Sequence, residues 1–315
     1  MQVWRSLNYV LTILLLFALL SCIHYRLSTN PNLMVEKSSP GWLSSERLGH
    51  HEEAQKLRSL LKKVARPDKV LVITTVNYAW AKPGSVLDLF LESFHVGKGT
   101  KRILNHLLIV AMDQKAYMRC KSIHPHCYFF DTPGIDFASE QQSTSPDYLK
   151  FMWRRVEFMQ IVLELGYSFF FTDADVLWLK NPIPKFSSDS DFIIASDFQE
   201  GQPENQSNIA NTGFIYVKSE SYTIQFIKLW RLSRLLYPNE NDSSVFEKMK
   251  QDPHADLILG VLYLNRAYFG AICQSSRDMG KLYIIHASCR SGVERKLHDL
   301  RLFLNDWKNY KRVSS

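Results

Sequence analysis

No Cys-x-x-Cys pair occurs anywhere in the 315 residues, although there are five cysteines. That absence removes the ligand spacing on which structural zinc sites are built. Basic residues are not gathered into a block either: Lys and Arg outnumber Asp and Glu by 38 to 31, for a net charge of +7, but the excess is spread along the chain. With no basic tract interleaved with aromatics and no finger spacing, nucleic acid is excluded as a partner. A diffuse positive excess suits a protein that handles an anionic small molecule. Charge is missing altogether from Leu7 to Ile23, which has the length and polarity of a short membrane span. Ser21-Cys22-Ile23 lacks a good small-residue cleavage site, which favours an uncleaved signal anchor over a removed signal peptide. The reading is therefore a cytoplasmic tail at 1–6, a signal-anchor transmembrane helix at 7–23, and a lumenal remainder.

Residues 24–66 divide into a flexible stem, marked by Asn30-Pro31-Asn32 and Ser38-Ser39-Pro40-Gly41, and a run from Ser44 to Ala65. In that run Leu48, Leu57, Leu60, Leu61 and Val64 recur among charged residues, the pattern of a surface helix packing one edge on a domain. The stretch 67–315 is long enough for one α/β domain with a sizeable core. Strand-like Val70–Thr75, helix-like Ser85–Val96, strand-like His106–Ala111, a short Tyr128–Asp131, a helix from Pro146 to Leu165 and a strand from Phe169 to Asp175 alternate as a mostly parallel sheet requires. Apolar runs at Phe192–Ala195, Phe214–Val217 and Leu282–Ile285 extend that sheet, and Val293–Tyr310 closes the domain as a helix. Cys120, Cys127, Cys273 and Cys289 form an even lumenal set suited to disulfides. Asn205-Gln-Ser207 and Asn241-Asp-Ser243 match the N-glycosylation acceptor pattern, consistent with a secretory route.

The stretch that carries chemistry is Phe169-Phe170-Phe171-Thr172-Asp173-Ala174-Asp175-Val176-Leu177-Trp178. A buried aromatic strand ends abruptly in two carboxylates one residue apart, at the strand end where ligands bind in open α/β sheets. Two such carboxylates repel unless a cation sits between them, and Mg²⁺ or Mn²⁺ bound also to a diphosphate meets that need. The same strand-Asp-x-Asp pattern occurs in haloacid-dehalogenase-type phosphatases, in which the first Asp attacks phosphorus. Those place the motif near the domain start and carry a later Gly-Asp; here the motif lies about a hundred residues in, and no Gly-Asp dipeptide exists.

Around this stretch stand Phe151-Met-Trp-Arg-Arg-Val-Glu157, Gly166-Tyr-Ser-Phe-Phe-Phe-Thr-Asp-Ala-Asp-Val-Leu-Trp-Leu-Lys-Asn-Pro182, Asn211-Thr-Gly213, Phe269-Gly-Ala-Ile-Cys-Gln274 and His286-Ala-Ser-Cys289. Together they resemble the plant nucleotide-diphospho-sugar transferases of glycosyltransferase family 77, over nearly all of Val70–Tyr310. The resemblance implies a GT-A type, Rossmann-like, mostly parallel sheet with flanking helices behind a membrane anchor. It also implies a metal-dependent retaining transfer from a nucleotide sugar, in a type II Golgi membrane glycoprotein acting on cell-wall polymers or glycoproteins.

By the same resemblance Asp173, Asp175 and His286 hold Mn²⁺ or Mg²⁺, with Asp173, Asp175, Asp242 and Asn211 as the implied catalytic set. Thr74, Thr75 and Asn77 stand where such folds hold the nucleoside, with Asp173 bridging toward the ribose. Lys150, Arg154 and Glu157 recur on one helix face opposite Met152, Val156, Met159 and Leu163, and Lys150 or Arg154 would reach the donor diphosphate. Asn211-Thr-Gly213, ahead of the strand-like Phe214–Val217, is implied to lie beside the transferring sugar; the alternative from the residues alone is a tight loop supplied by its Gly. One departure stands out: relatives often read Asp-Gln-Asp-Val-Phe after a Tyr-Pro, whereas this chain has Asp242-Ser243-Ser244-Val245-Phe246. A catalytically silent nucleotide-sugar-binding protein of the same fold is the alternative that this raises. The motif after His286 also lacks a second cysteine found in relatives, which leaves Cys273 with Cys289 and Cys120 with Cys127.

Overall fold

The computed structural model describes residues 41–313, apart from 133, 136, 141–144, 187–189, 199–204, 206, 251–259 and 275–277; of 41–51 only the helical backbone is described. The expected anchor at 7–23 lies outside the described residues. No helix among the described residues is long and apolar enough to cross a membrane.

Leu57–Ser315 forms one compact unit. It is entered through the last turns of helix α1 (Gly41–Val64), whose Leu57, Leu61 and Val64 are buried in the core while Leu60 packs against it. Then follow β1 (Val70–Val76), α2 (Tyr78–Ala81), α3 (Val86–Val96), β2 (Leu107–Ala111), α4 (Gln114–Ile123), β3 (Cys127–Phe129), α5 (Pro146–Glu164), β4 (Ser168–Thr172) and β5 (Val176–Trp178). The second half comprises β6 (Phe192–Phe198), β7 (Ile209–Val217), α6 (Ser221–Ser233), α7 (Asp242–Lys250), β8 (Leu262–Tyr263), β9 (Phe269–Ala271), β10 (Ile284–His286) and α8 (Val293–Val313).

Seven strands make the main sheet in the order β3-β2-β1-β4-β7-β6-β8. β4 is central; β1 runs parallel to β2 and β4, β2 parallel to β3 and β6 parallel to β8, while β7 runs antiparallel to β4 and β6. Strand side chains alternate between faces, so Val72, Leu107, Ile109, Phe170 and Phe214 share one core with α3 and α8. Leu71, Ile73, Leu108, Val110, Phe169, Phe171 and Ile215 share the other with α1, α5, α6 and α7. Covering both faces explains the near-continuous apolar runs of β1, β2 and β4.

Three expectations need correcting. The Leu282–Ile285 run does not extend the main sheet: β10 joins a separate three-stranded sheet, β5-β10-β9. The Phe169–Asp175 run is likewise not one strand, because it leaves the main sheet after Thr172 and enters the small sheet at Val176. The two carboxylates therefore sit on the step between sheets, where the backbone has no continuous ladder. Asn211-Thr212-Gly213 is not a loop ahead of a strand; it lies inside β7, at a break in register with β6 between Ile194 and Ala195. Both disulfides expected from the resemblance are present, Cys120–Cys127 and Cys273–Cys289.

Candidate active site

The step between the sheets is pinned by its own backbone. Asp173 N–H donates to the Gly213 carbonyl at 2.7 Å, and the Asp175 carbonyl accepts from Ala287 N–H at 3.1 Å. Antiparallel pairing of β5 with β10 sets His286 opposite Val176. One ligand atom each from Asp173, Asp175 and His286 consequently falls within 4.8 Å of the others. His286 Nε2 is 3.1 Å from Asp175 Oδ1 and 3.7 Å from Asp173 Oδ2. Gly213 is required at the third wall: a Cβ there would lie 2.3 Å from His286 Cε1 and 2.5 Å from Asp173 Oδ2.

Cations enclose the pair. Arg155, inside α5 and only 2% exposed, donates from Nη1 to Asp173 Oδ1 at 2.7 Å, from Nη2 to Thr212 Oγ1 at 2.8 Å, and to the buried Asp242 Oδ2. Lys296, in the first turns of α8, donates to Asp175 Oδ2 at 2.5 Å and to the Ala287 carbonyl at 3.1 Å. Burial pushes the Asp175 carboxyl up, but Lys296 and His286 outweigh it and hold the group below the usual carboxylate range. For Asp173 burial prevails over Arg155, with repulsion from Asp175 adding to it, and its carboxyl is raised. Burial lowers the His286 imidazole, yet the contact with Asp175 and the charge of Asp173 leave it raised. The two carboxylates thus shift in opposite directions, because burial prevails at Asp173 whereas Lys296 and His286 together outweigh it at Asp175. Tyr148, in the first turn of α5, lies in the same field, and burial pushes its phenol up to about 12.

The other expected site residues separate into those brought near and those held elsewhere. Asn211 Oδ1 accepts from Gly213 N–H, and its amide donates to Asp197 Oδ1 at 2.7 Å, a carboxylate that also accepts from Ser288 Oγ. Asp242 is fully buried and reaches the acidic pair only through Arg155. Ser243 Oγ is hydrogen-bonded to Thr212 Oγ1, so this hydroxyl is tied into the same network. Thr74, Thr75 and Asn77 are buried at the carboxyl end of β1. Asn77 caps α2 and donates to the Ser139 carbonyl, while Thr74 Oγ1 has no partner among the described residues.

Lys150 and Arg154 are not brought to the acidic pair. Lys150 pairs with Asp147 in its own helix. Arg154 is spread over Glu157, Thr132 Oγ1 and the Asp131 carbonyl, with its guanidinium 3.8 Å from the Phe130 ring centre. The helical turn explains the exchange. One residue along, Arg155 falls in the stripe shared by Val156, Met159 and Leu163, which faces the sheet, whereas 154 faces outward. A charged residue inside an apolar stripe is the signal that it is buried and paired, and it was available in the sequence. Lys296, ten residues beyond His286, carries the same signal: it stands three residues after Val293 and four before Leu300, in phase with the buried stripe of α8.

The profile of the family described as "Nucleotide-diphospho-sugar transferase" matches residues 102–300. An uncharacterized Arabidopsis thaliana protein, At4g15970, is 44% identical over 273 residues, covering 86% of this chain and 72% of its own. The Arabidopsis thaliana UDP-D-xylose:L-fucose alpha-1,3-D-xylosyltransferase is 23% identical over 331 residues, covering 96% of this chain and 88% of its own. Among solved structures, an active-site mutant of LgtC superposes with a TM-score of 0.46 at 13% identity, over 72% of this chain and 94% of that one.

Proposed function

The chain belongs to the nucleotide-diphospho-sugar transferase family, and from that premise we propose that it is a metal-dependent, retaining, GT-A type glycosyltransferase using a UDP-linked donor. Its acceptor on this reading is a cell-wall polysaccharide or a glycoprotein. The observation that carries the reading is the convergence of Asp173, Asp175 and His286 around one point at the end of β4. Two carboxylate oxygens and one imidazole nitrogen suit Mn²⁺ or Mg²⁺, and the Gly213 backbone lies against them with no side chain in the way. Asp173, Asp175 and His286 would hold the ion. When bound, it neutralises charge developing on the leaving nucleoside diphosphate.

The rest falls to the chain's own residues. Arg155 fixes one oxygen of Asp173 and, through Thr212, the β7 backbone beside it. Lys296 adds a second positive charge on the far side. Asp242 is engaged by Arg155, so among the expected catalytic carboxylates none stands ready as a strong base. That suits front-face attack, in which the leaving phosphate oxygen takes the acceptor proton and the anomeric configuration is kept. Relatives named for UDP-D-xylose support UDP as the donor nucleotide.

The test is a screen of UDP-sugars for Mn²⁺-dependent hydrolysis by the chain with its helix α1 retained, since Leu57, Leu61 and Val64 belong to the core. Hydrolysis with one donor that is lost on adding chelator and in Asp175→Ala is expected. Tight, metal-supported donor binding without turnover would instead establish the silent binding protein that Ser243 and Ser244 raise as the alternative. We further propose a type II Golgi membrane topology with the 67–315 region lumenal. Endoglycosidase should raise gel mobility by trimming Asn205 or Asn241, and the protein should stay with membranes through carbonate extraction.

A further inference from the structure

We propose that Lys296 is a built-in counter-cation that keeps the acidic pair closed to a lone divalent ion, so that metal and anionic donor bind together rather than singly. The inference rests on the metal-dependent reading above and adds a control to it. Asp175 is 1% exposed, and its two oxygens are divided between His286 Nε2 and the Lys296 ammonium. Asp173 Oδ1 is occupied by Arg155. Both oxygens of Asp175 and one oxygen of Asp173 are therefore already engaged by cationic or imidazole groups of the chain itself, Arg155 being shared with Asp242. A divalent ion arriving alone would have to compete with Lys296 for Asp175 and would face the ammonium across a single carboxylate group, largely shielded from water. Repulsion at that range is weakly screened.

The lysine has somewhere to go. Its backbone is held at the start of α8, where Lys296 N–H donates to the Gly292 carbonyl at 3.2 Å and Val293 N–H donates to Glu140 Oε1. Movement is thus confined to the side chain. The same ammonium already touches the Ala287 carbonyl and lies 5.4 Å from the Trp80 ring centre. Leaving Asp175 would keep both of these contacts, the second favourable to a cation. The anionic donor supplies the negative charge that makes the exchange favourable, which couples the two ligands reciprocally.

Mn²⁺ alone, titrated into the full chain by calorimetry and followed by its electron-spin resonance signal, tests this. Lys296→Met should bind Mn²⁺ at least tenfold more tightly than wild type, and Lys296→Arg should remain close to wild type. The ratio of Mn²⁺ affinities with and without UDP should shrink in Lys296→Met by a comparable factor. A variant damaged only in its fold would bind more weakly, so tightening is not produced by disruption. Lys296→Gln, which keeps a hydrogen bond to Asp175, serves if the Met variant melts early, and it should tighten to an intermediate degree. Unchanged or weaker Mn²⁺ binding in both neutral variants, with binding still abolished by Asp175→Asn, would overturn the role of Lys296 and leave the metal site standing. Mn²⁺ binding indifferent to Asp175→Asn would overturn both.

Discussion

Arg155 shows how much of the site depends on single atoms. Its guanidinium joins Asp173, Asp242 and Thr212 with 2% of the residue exposed. Removing one member of a buried charge network leaves the others uncompensated, which costs roughly 3–5 kcal/mol. Arg155→Met is therefore expected to lose about that much in urea denaturation. Arg155→Met combined with Asp242→Leu should recover part of it, because the fully buried carboxylate goes too. Activity should not return in the double variant, since Asp173 still lacks its positioning partner; recovered activity would show that Arg155 serves only the core. Gly213 makes the complementary point about space. Gly213→Ala places a methyl group 2.3 Å from His286 Cε1 and 2.5 Å from Asp173 Oδ2. The expected result is a tenfold or greater loss of Mn²⁺-supported UDP affinity by calorimetry, with the metal-free melting temperature lowered by only a few degrees, because His286 can tilt away from a methyl more readily than it can coordinate past one.

At the scale of elements, the corner formed by β2, α4 and β3 is tied by Cys120–Cys127 and by two buried histidines. His124 Nε2 is 2.8 Å from the Leu107 carbonyl, and the two rings meet edge to face at 5.7 Å. Burial pushes His124 down despite that hydrogen bond, and burial with the neighbouring His124, Lys63 and His106 pushes His126 down. Folded values below the unfolded one mean that the unfolded chain binds more protons as pH falls. The stability from these neutral rings is complete above the unfolded value of about 6.5 and declines as pH falls below it toward the folded values. Denaturation midpoints measured from pH 7.5 to 5 should drop, and His124→Gln with His126→Gln should flatten the drop. Helix α5 illustrates the other lesson at this scale. Its extent was legible from Pro146 at its start and the apolar stripe that follows, and the structure adds Tyr148 N–H donating to Ser145 Oγ at its amino end. Which of two adjacent arginines turns inward was a matter of phase within that stripe, and only Arg155 is in phase.

Across the whole molecule the site is assembled from strands of two sheets and from helices more than a hundred residues apart in sequence, so its integrity depends on long-range ties. Cys273–Cys289 spans a separation of 16 and joins the end of β9 to the segment just beyond His286. Removing it by Cys273→Ser with Cys289→Ser should cost on the order of 3 kcal/mol in loop entropy and also weaken Mn²⁺-supported UDP binding. Removing Cys120–Cys127 should lower the melting temperature while leaving that binding near wild type; calorimetry beside thermal melts separates the two. By itself the sequence determined the alternation of strands and helices and the buried aromatic strand ending in Asp173 and Asp175, because hydrophobic period and strand ends are local properties; the pairing of His286 with that motif was implied only by the resemblance to a family. The sequence did not determine that Ile284–His286 belongs to a second sheet, that Asn211–Gly213 lies within a strand, or that Lys296 and Arg155 occupy the carboxylates. Those follow from strand pairing and from side chains meeting across the fold. Hydrogen-bond partners and buried countercharges are chosen among residues distant in the chain, so only the tertiary structure decides which cation faces which acid.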